Sequence, residues 1–102
     1  MVKISVIITS HNYGYCIENA IQSVINQTLS REKYEIIITD DNSTDCTHEI
    51  LEKYKSEINQ LISCNHNSLS EARNTAILHS KGEYLIFLDP DDRFHPDLLE
   101  KT

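Results

Sequence analysis

The strongest constraint on this chain is an alternation of two periodicities. Four short apolar runs, Ile4 to Ile8, Ile36 to Thr39, Leu61 to Ser63 and Tyr84 to Leu88, are separated by three segments whose apolar residues recur at helical spacing. Runs rich in Ile and Val without strict polar alternation predict strands covered on both faces, as in a parallel sheet. Ile17, Ala20, Ile21, Val24 and Ile25 fall at i, i+3, i+4, i+7 and i+8, which places one apolar stripe on a helix from about Tyr15 to Gln27. Ile50, Leu51, Tyr54 and Ile58 mark a weaker helix that Ser43, Thr44 or Asp45 would cap. Leu69, Ala72, Ala76 and Ile77 mark a third, opened by Ser68 and Glu71 as a capping box and stopped by Lys81-Gly82. Such an order predicts an α/β fold: a doubly wound, mainly parallel sheet with flanking helices and right-handed crossovers.

At 102 residues the chain suits one domain and is too short for two. A last helix is expected from Pro96, a residue favoured at the first helical position. Because it runs for only two turns behind the most acidic cluster, the chain is expected to be the front part of a longer protein. Phe94, Leu98 and Leu99 are then expected to be left uncovered, and the sheet's open edge to favour self-association. Nine Lys and Arg against sixteen Asp and Glu give a net charge of -7, which disfavours nucleic acid or an anionic lipid surface as partner. Cys16, Cys46 and Cys64 form no C-x-x-C pair, so neither a disulfide framework nor a zinc site is expected. Inert thiols, no signal peptide and no span-length apolar run together predict a cytoplasmic chain, with the inner membrane face open to the whole protein.

In open α/β sheets ligands bind outside the carboxyl ends of the strands. Those ends carry Thr9-Ser10-His11-Asn12, Asp40-Asp41-Asn42-Ser43, Asn65-His66-Asn67-Ser68 and Asp89-Pro90-Asp91-Asp92. Five carboxylates gathered on one edge repel each other unless a divalent cation or hydrogen-bond donors offset them, and hard oxygen ligands suit Mg or Mn. Asp and Asn are also ordinary turn and cap residues, so Asp40 to Asp45 has a purely structural alternative. Asp89 to Asp92 exceeds what a turn needs. His11 is either a turn residue or a ring that stacks on a ligand, whereas His66 and His95 are weaker candidates. Arg73, near the start of the third helix beside Asn74, is electrostatically misplaced unless it meets an anion such as phosphate or pairs with Glu71 or an Asp.

Five blocks, Val6 to Asn12, Ile21 to Thr28, Ile38 to Asp45, Ser70 to Asn74, and Lys81 to Tyr84 running into Leu88 to Asp92, resemble in order and spacing the family 2 glycosyltransferases of GT-A fold. The resemblance covers nearly the whole chain. It implies an enzyme that transfers a sugar from a nucleoside diphosphate sugar, taken as a UDP-sugar, to a saccharide or lipid-linked acceptor hydroxyl. The transfer is metal-assisted and inverting, and serves polysaccharide or glycoconjugate synthesis. It further implies that Asp41 reads the nucleotide base with Asp40 as its neighbour, and that Thr9 and His11 flank the base. Arg73 and Asn74 would line the ribose and diphosphate side. Asp89 and Asp91 resemble the DxD pair, Asp89 toward the ribose and Asp91 on a Mn or Mg ion, with Asp92 in support. Residues 1–102 would then be the N-terminal nucleotide-sugar-binding part, with the acceptor half and the catalytic base outside them. Two positions depart from the family: Pro90 stands in place of a small residue, and Asn42 in place of a common glycine.

Two rival classes remain. A magnesium-dependent phosphotransfer domain also groups acids at strand ends, but its nucleophilic Asp follows the first strand, where this chain has Thr9 to Asn12. The other is a truncated or degenerate nucleotide-binding module acting as a non-catalytic interaction domain, and the intact Asp41, Asp89 and Asp91 argue against degeneration.

Overall fold

The computed structural model describes residues 2–65 and 67–101. Strands β1 (Ile4–Ser10), β2 (Tyr34–Asp41), β3 (Gln60–Cys64) and β4 (Tyr84–Leu88) alternate with helices α1 (Ile17–Ile25), α2 (Thr47–Lys53) and α3 (Leu69–Leu78). A 3-10 turn, Arg31–Lys33, leads into β2. All pairings are parallel, in the order β3-β2-β1-β4. The chain thus builds outward from β1 through β2 to β3, then returns to the other side of β1 for β4. That reversal between β1 and β4 is the topological switch point of a doubly wound sheet.

The two central strands are buried at every position, which explains why Val6 to Ile8 and Ile36 to Ile38 read as apolar runs without polar alternation. On one face Ile4, Val6, Ile8, Ile36 and Ile38 pack with Ile17, Ala20, Ile21, Val24 and Leu51 of α1 and α2. On the other, Ile7 and Ile37 meet Ala76 of α3, with Ile62 beside them. The expected fold class is therefore the observed one.

Several expected details differ. The first helix is shorter at both ends, because Cys16 and Ile17 donate their N–H groups to the Tyr13 carbonyl in a tight turn, and the Gln27 side chain is drawn away to other partners. Ile58 is buried as expected but lies beyond α2, in the turn that follows Tyr54. None of the three candidate caps holds the N-cap position of α2, which is Cys46; Asp45, one residue before it, accepts the Thr47 N–H at 2.9 Å through Oδ1. Ser68 caps α3, its Oγ accepting the Glu71 N–H at 3.4 Å. The buried stripe of α3 narrows to Ala72 and Ala76, since Leu69 is 56% exposed and Ile77 lies at the surface. Gly82 does not stop α3, which already ends at His79. It is needed because a Cβ there would meet the Ser5 backbone N at 2.6 Å.

The last segment is a series of turns rather than a helix from Pro96. Its backbone groups bond to Gln27 and Thr28, just beyond α1, instead, and two turns of isolated helix would not offset the cost of nucleation. The same contacts correct the burial expected there: Leu99 is fully buried and Phe94 packs against the core. Leu98 is exposed as expected, and the edge strand β4 exposes Tyr84, Leu85 and Phe87 as well.

Candidate functional site

Each of the first three strands leads into an asparagine in the left-handed region: Asn12 at φ 59°, Asn42 at 58° and Asn67 at 54°. Asn tolerates this conformation better than residues without a short polar side chain, so Asn42 meets the demand that a glycine would. The reversals fold the loops back over the sheet edge, where they are laced together. Asn12 Oδ1 accepts the N–H groups of Thr44 and Asp45 at 2.7 and 3.2 Å, and its own N–H donates to Ser43 Oγ at 3.0 Å. Asp45 Oδ2 accepts the Gly14 N–H at 3.0 Å, while its Oδ1 takes both the hydroxyl and the N–H of Thr47. These donors, the Thr47 hydroxyl first, hold the Asp45 carboxyl below the usual range. Asp45 is thus a structural carboxylate. A Cβ on Gly14 would meet Cys46 Sγ at 2.5 Å, so the lacing demands glycine there.

Beneath this rim lies a cavity of about 520 Å³ at the β1/β4 switch point, lined by Thr9, His11, Tyr13, Asp41, Asp89 and Asp91 among others. Asp41 forms one wall. Its two carboxylate oxygens accept the N–H groups of Asn67 and Ser68 at 3.1 Å each, at the entry to α3. Its backbone carbonyl accepts from His11 Nδ1 at 2.6 Å, and a carbonyl can only accept, so Nδ1 carries the ring proton. The His11 ring itself is exposed.

Asp89, Pro90 and Asp91 form the opposite wall. The turn is closed by the Asp92 N–H donating to the Asp89 carbonyl at 3.0 Å. The carboxylates of Asp89, Asp91 and Asp92 bring one oxygen each to within 4.8 Å of one another, all exposed to solvent. An octahedral Mg or Mn ion with metal–oxygen bonds of about 2.1 Å spans about 4.2 Å between opposite ligands, so this donor set fits such an ion with little adjustment. Cys16 sits behind the turn, its Sγ donating to the Pro90 carbonyl at 3.4 Å. Burial pushes this thiol's pKa up and the Asp91 carboxylate adds to the rise, so Cys16 stays protonated.

Asp40 is buried under the loops and does not line the cavity. Arg73 lies outside the lining, with its guanidinium 3.5 Å from Asp89 Oδ1 and stacked over the Phe87 ring at 5.1 Å. Asn74 is exposed one position further on. His95 pairs with Asp97 on the surface, and His66 lies outside the described residues. Sequence reasoning missed Tyr13, Leu69 and Ala72 as lining residues. The signal for Tyr13 was an aromatic residue directly after the first strand's polar exit.

The family model for glycosyl transferase family 2 matches residues 5–102. The chain belongs to this family. It is 41% identical over 98% of its length to the poly(ribitol-phosphate) beta-N-acetylglucosaminyltransferase TarP of Staphylococcus aureus, of which it spans 32%. The structure of residues 1–349 of S. aureus TarS in complex with UDP-GlcNAc superposes with a TM-score of 0.91 at 30% identity, covering 98% of this chain and 30% of that one. A mannosyltransferase from Pyrobaculum calidifontis, in complex with GDP-Man and Mn2+, gives a TM-score of 0.83 at 25% identity, over 90% of this chain and 28% of that one. This family 2 chain therefore has the fold of the glycosyltransferase structures it resembles, and spans about a third of the length of such relatives. No helix among its described residues is long and apolar enough to cross a membrane.

Proposed function

We propose that residues 1–102 are the donor-binding part of a glycosyltransferase that moves a sugar from a UDP-sugar to a saccharide or lipid-linked acceptor hydroxyl, with inversion. The observation that carries this reading is the pairing of two acidic walls across one cavity at the switch point, Asp41 on one side and Asp89 with Asp91 on the other. A nucleoside diphosphate has a neutral hydrogen-bonding base at one end and a concentrated negative charge at the other, and the two walls match those ends. The relatives described above include one solved with UDP-GlcNAc and one solved with GDP-Man and Mn2+.

In this reading Asp41 accepts a base N–H. A carboxylate offers about four acceptor positions, so it can add this bond to those it makes with the entry to α3. Thr9 and His11 flank the base, while Asp40 supports the turn from beneath. Asp89 faces the ribose, Asp91 holds a divalent cation, Mn or Mg, and Asp92 assists. When bound, such a cation neutralises the leaving diphosphate as a Lewis acid. Arg73 lies beside Asp89 and can exchange that partner for a diphosphate oxygen, with Asn74 on the same side. Attack by the acceptor hydroxyl needs a general base, which this reading places outside residues 1–102, as it does the acceptor site. The chain alone then binds donor without transferring sugar, and its open β4 edge favours self-association, readable by sedimentation.

The exit of β1 carries Thr9, Ser10 and His11, so no carboxylate stands where a phosphotransfer domain needs its nucleophile. Calorimetric titration with UDP, UDP-GlcNAc and GDP-mannose, each with Mn and with chelator, tests the reading. Binding of the uridine ligands only in the presence of metal is expected. Equal affinity in chelator would sink it.

A further inference from the structure

The Ile21 to Thr28 block contributes nothing to the cavity lining, yet it grips the segment that leaves the acidic turn. Ser23 Oγ accepts the Phe94 N–H at 3.0 Å while donating to the Ala20 carbonyl at 2.7 Å. Four residues on, the Gln27 amide is 9% exposed and fully engaged. Its Nε2 donates to the carbonyls of His95 at 2.7 Å and Ser23 at 2.9 Å, and its Oε1 accepts the Leu99 N–H at 2.9 Å. Residues 92–95 belong to no helix or strand, so their backbone has no ladder of its own, and these two side chains supply the substitute.

The acidic turn is therefore fixed at both ends. β4 pairs with β1 as far as Leu88, immediately before Asp89, and Ser23 takes hold again at Phe94, two residues after Asp92. Between these anchors three like charges crowd within 4.8 Å, a repulsion that would spread a free loop. The geometry points to Ser23 and Gln27 as positioning residues that keep the Asp89, Asp91 and Asp92 carboxylates close enough for one divalent cation. This inference rests on the reading of that turn as the cation site. Gln27 is suited to the task because two carbonyls and one N–H face it. A glutamate would set a second acceptor against the carbonyls of His95 and Ser23.

The test is Mn affinity of the full chain, measured by calorimetry at a temperature where every variant is folded by circular dichroism. S23A and Q27E should each weaken Mn binding about threefold to tenfold, the size of one or two hydrogen bonds. S23T, which keeps the hydroxyl, should restore it. E35Q, at the opposite end of the sheet, should lower the melting temperature and leave Mn affinity unchanged, a control that separates positioning of the turn from general stability. If S23A and Q27E bind Mn as wild type does while D91N does not, the positioning role is overturned and the cation site stands. If wild type and D91N bind Mn equally poorly, both fall.

Discussion

The two ends of the sheet are built from the same residue types and settle their polar groups in opposite ways. At the amino end, Glu35 is 3% exposed and its Oε2 accepts the Ser5 hydroxyl and the Lys81 N–H, both at 2.6 Å, while Ser5 Oγ accepts the Gly82 N–H at 2.9 Å. Arg31 closes the neighbouring corner, donating to the carbonyls of Tyr34 and Glu57 and to Asn59 Oδ1. At the carboxyl end, Ser10 Oγ, Thr39 Oγ1 and Asp40 Oδ1 are buried without a hydrogen-bond partner among the described residues. Three asparagines there hold a left-handed backbone, and three carboxylates crowd at the surface. One end has committed its polar groups to stability, whereas the other keeps buried oxygens without a partner among the described residues, strained turns and three crowded carboxylates, one of which faces the Arg73 guanidinium. Such costs persist at sites that must meet a ligand.

The sharpest way to break this contrast is to exchange a carboxylate at each end for a neutral residue. Glu35→Ala would strand the Ser5 hydroxyl and the Lys81 N–H inside the fold, costing about 2 to 4 kcal/mol. For a chain this size that lowers the melting temperature by roughly 10 °C or more, as calorimetry or circular dichroism would show. Asp91→Asn should do the reverse at the other end. It relieves like-charge repulsion, so the apo chain should be as stable as wild type or slightly more so, while metal-dependent nucleotide binding is lost. A destabilised Asp91→Asn, or a Glu35→Ala that melts like wild type, would erase the distinction.

Within the cavity the two walls should also separate. Asp41→Asn replaces a carboxylate that two backbone N–H groups and the proposed base share. It should weaken nucleotide binding by about 0.5 to 1.5 kcal/mol, or somewhat more where the bond is charge-assisted, and leave Mn affinity untouched. Loss of both together in a calorimetric titration would contradict separate roles for the walls.

Much of this was legible in the chain. The alternation of apolar runs and helical stripes specified the parallel sheet, because the middle of a strand covered on both faces must be largely apolar, and the polar residues of β1 and β2 fall toward their ends. Acidic exits from β2 and β4 pointed to the cavity edge, since strand ends map directly onto it. The illegible parts all depend on what lies across from a residue. Gly82 looked like a helix stop because its close approach to Ser5 spans 77 positions and leaves no local pattern. Pro96 looked like a helix start because the competing bonds come from Gln27 and Thr28, just beyond α1. Arg73 invited pairing with any anion, and only the fold brings Asp89 to within 3.5 Å of it.

A smaller effect tests whether the strained turns belong to the functional end. Asn42 sits at φ 58°, where a Cβ without a local hydrogen-bonding group costs roughly 1 to 2 kcal/mol. Asn42→Ala should therefore destabilise by about 1 kcal/mol in chemical denaturation, whereas Asn42→Gly should stay within a few tenths. If alanine were tolerated as well as glycine, the left-handed turn would be no strain at all.

The smallest effect is the pH response of the loop lacing. Asp45 accepts hydrogen bonds from Thr47 and Gly14, and its pKa is lowered on folding. A carboxyl that binds its proton less readily when folded contributes stability that is fully present above its unfolded pKa, about 3.9, and is lost as the pH falls through the lower folded value. The side-chain amide introduced by Asp45→Asn could still accept the Thr47 N–H but would carry no charge to strengthen the bond. The melting temperatures of wild type and Asp45→Asn should differ modestly near neutrality, because the group is exposed and screened by solvent. That gap should close only below about pH 4. A gap that widened on acidification would mean that protonated Asp45 holds the two loops together better than the carboxylate does, and the lacing would then owe nothing to charge.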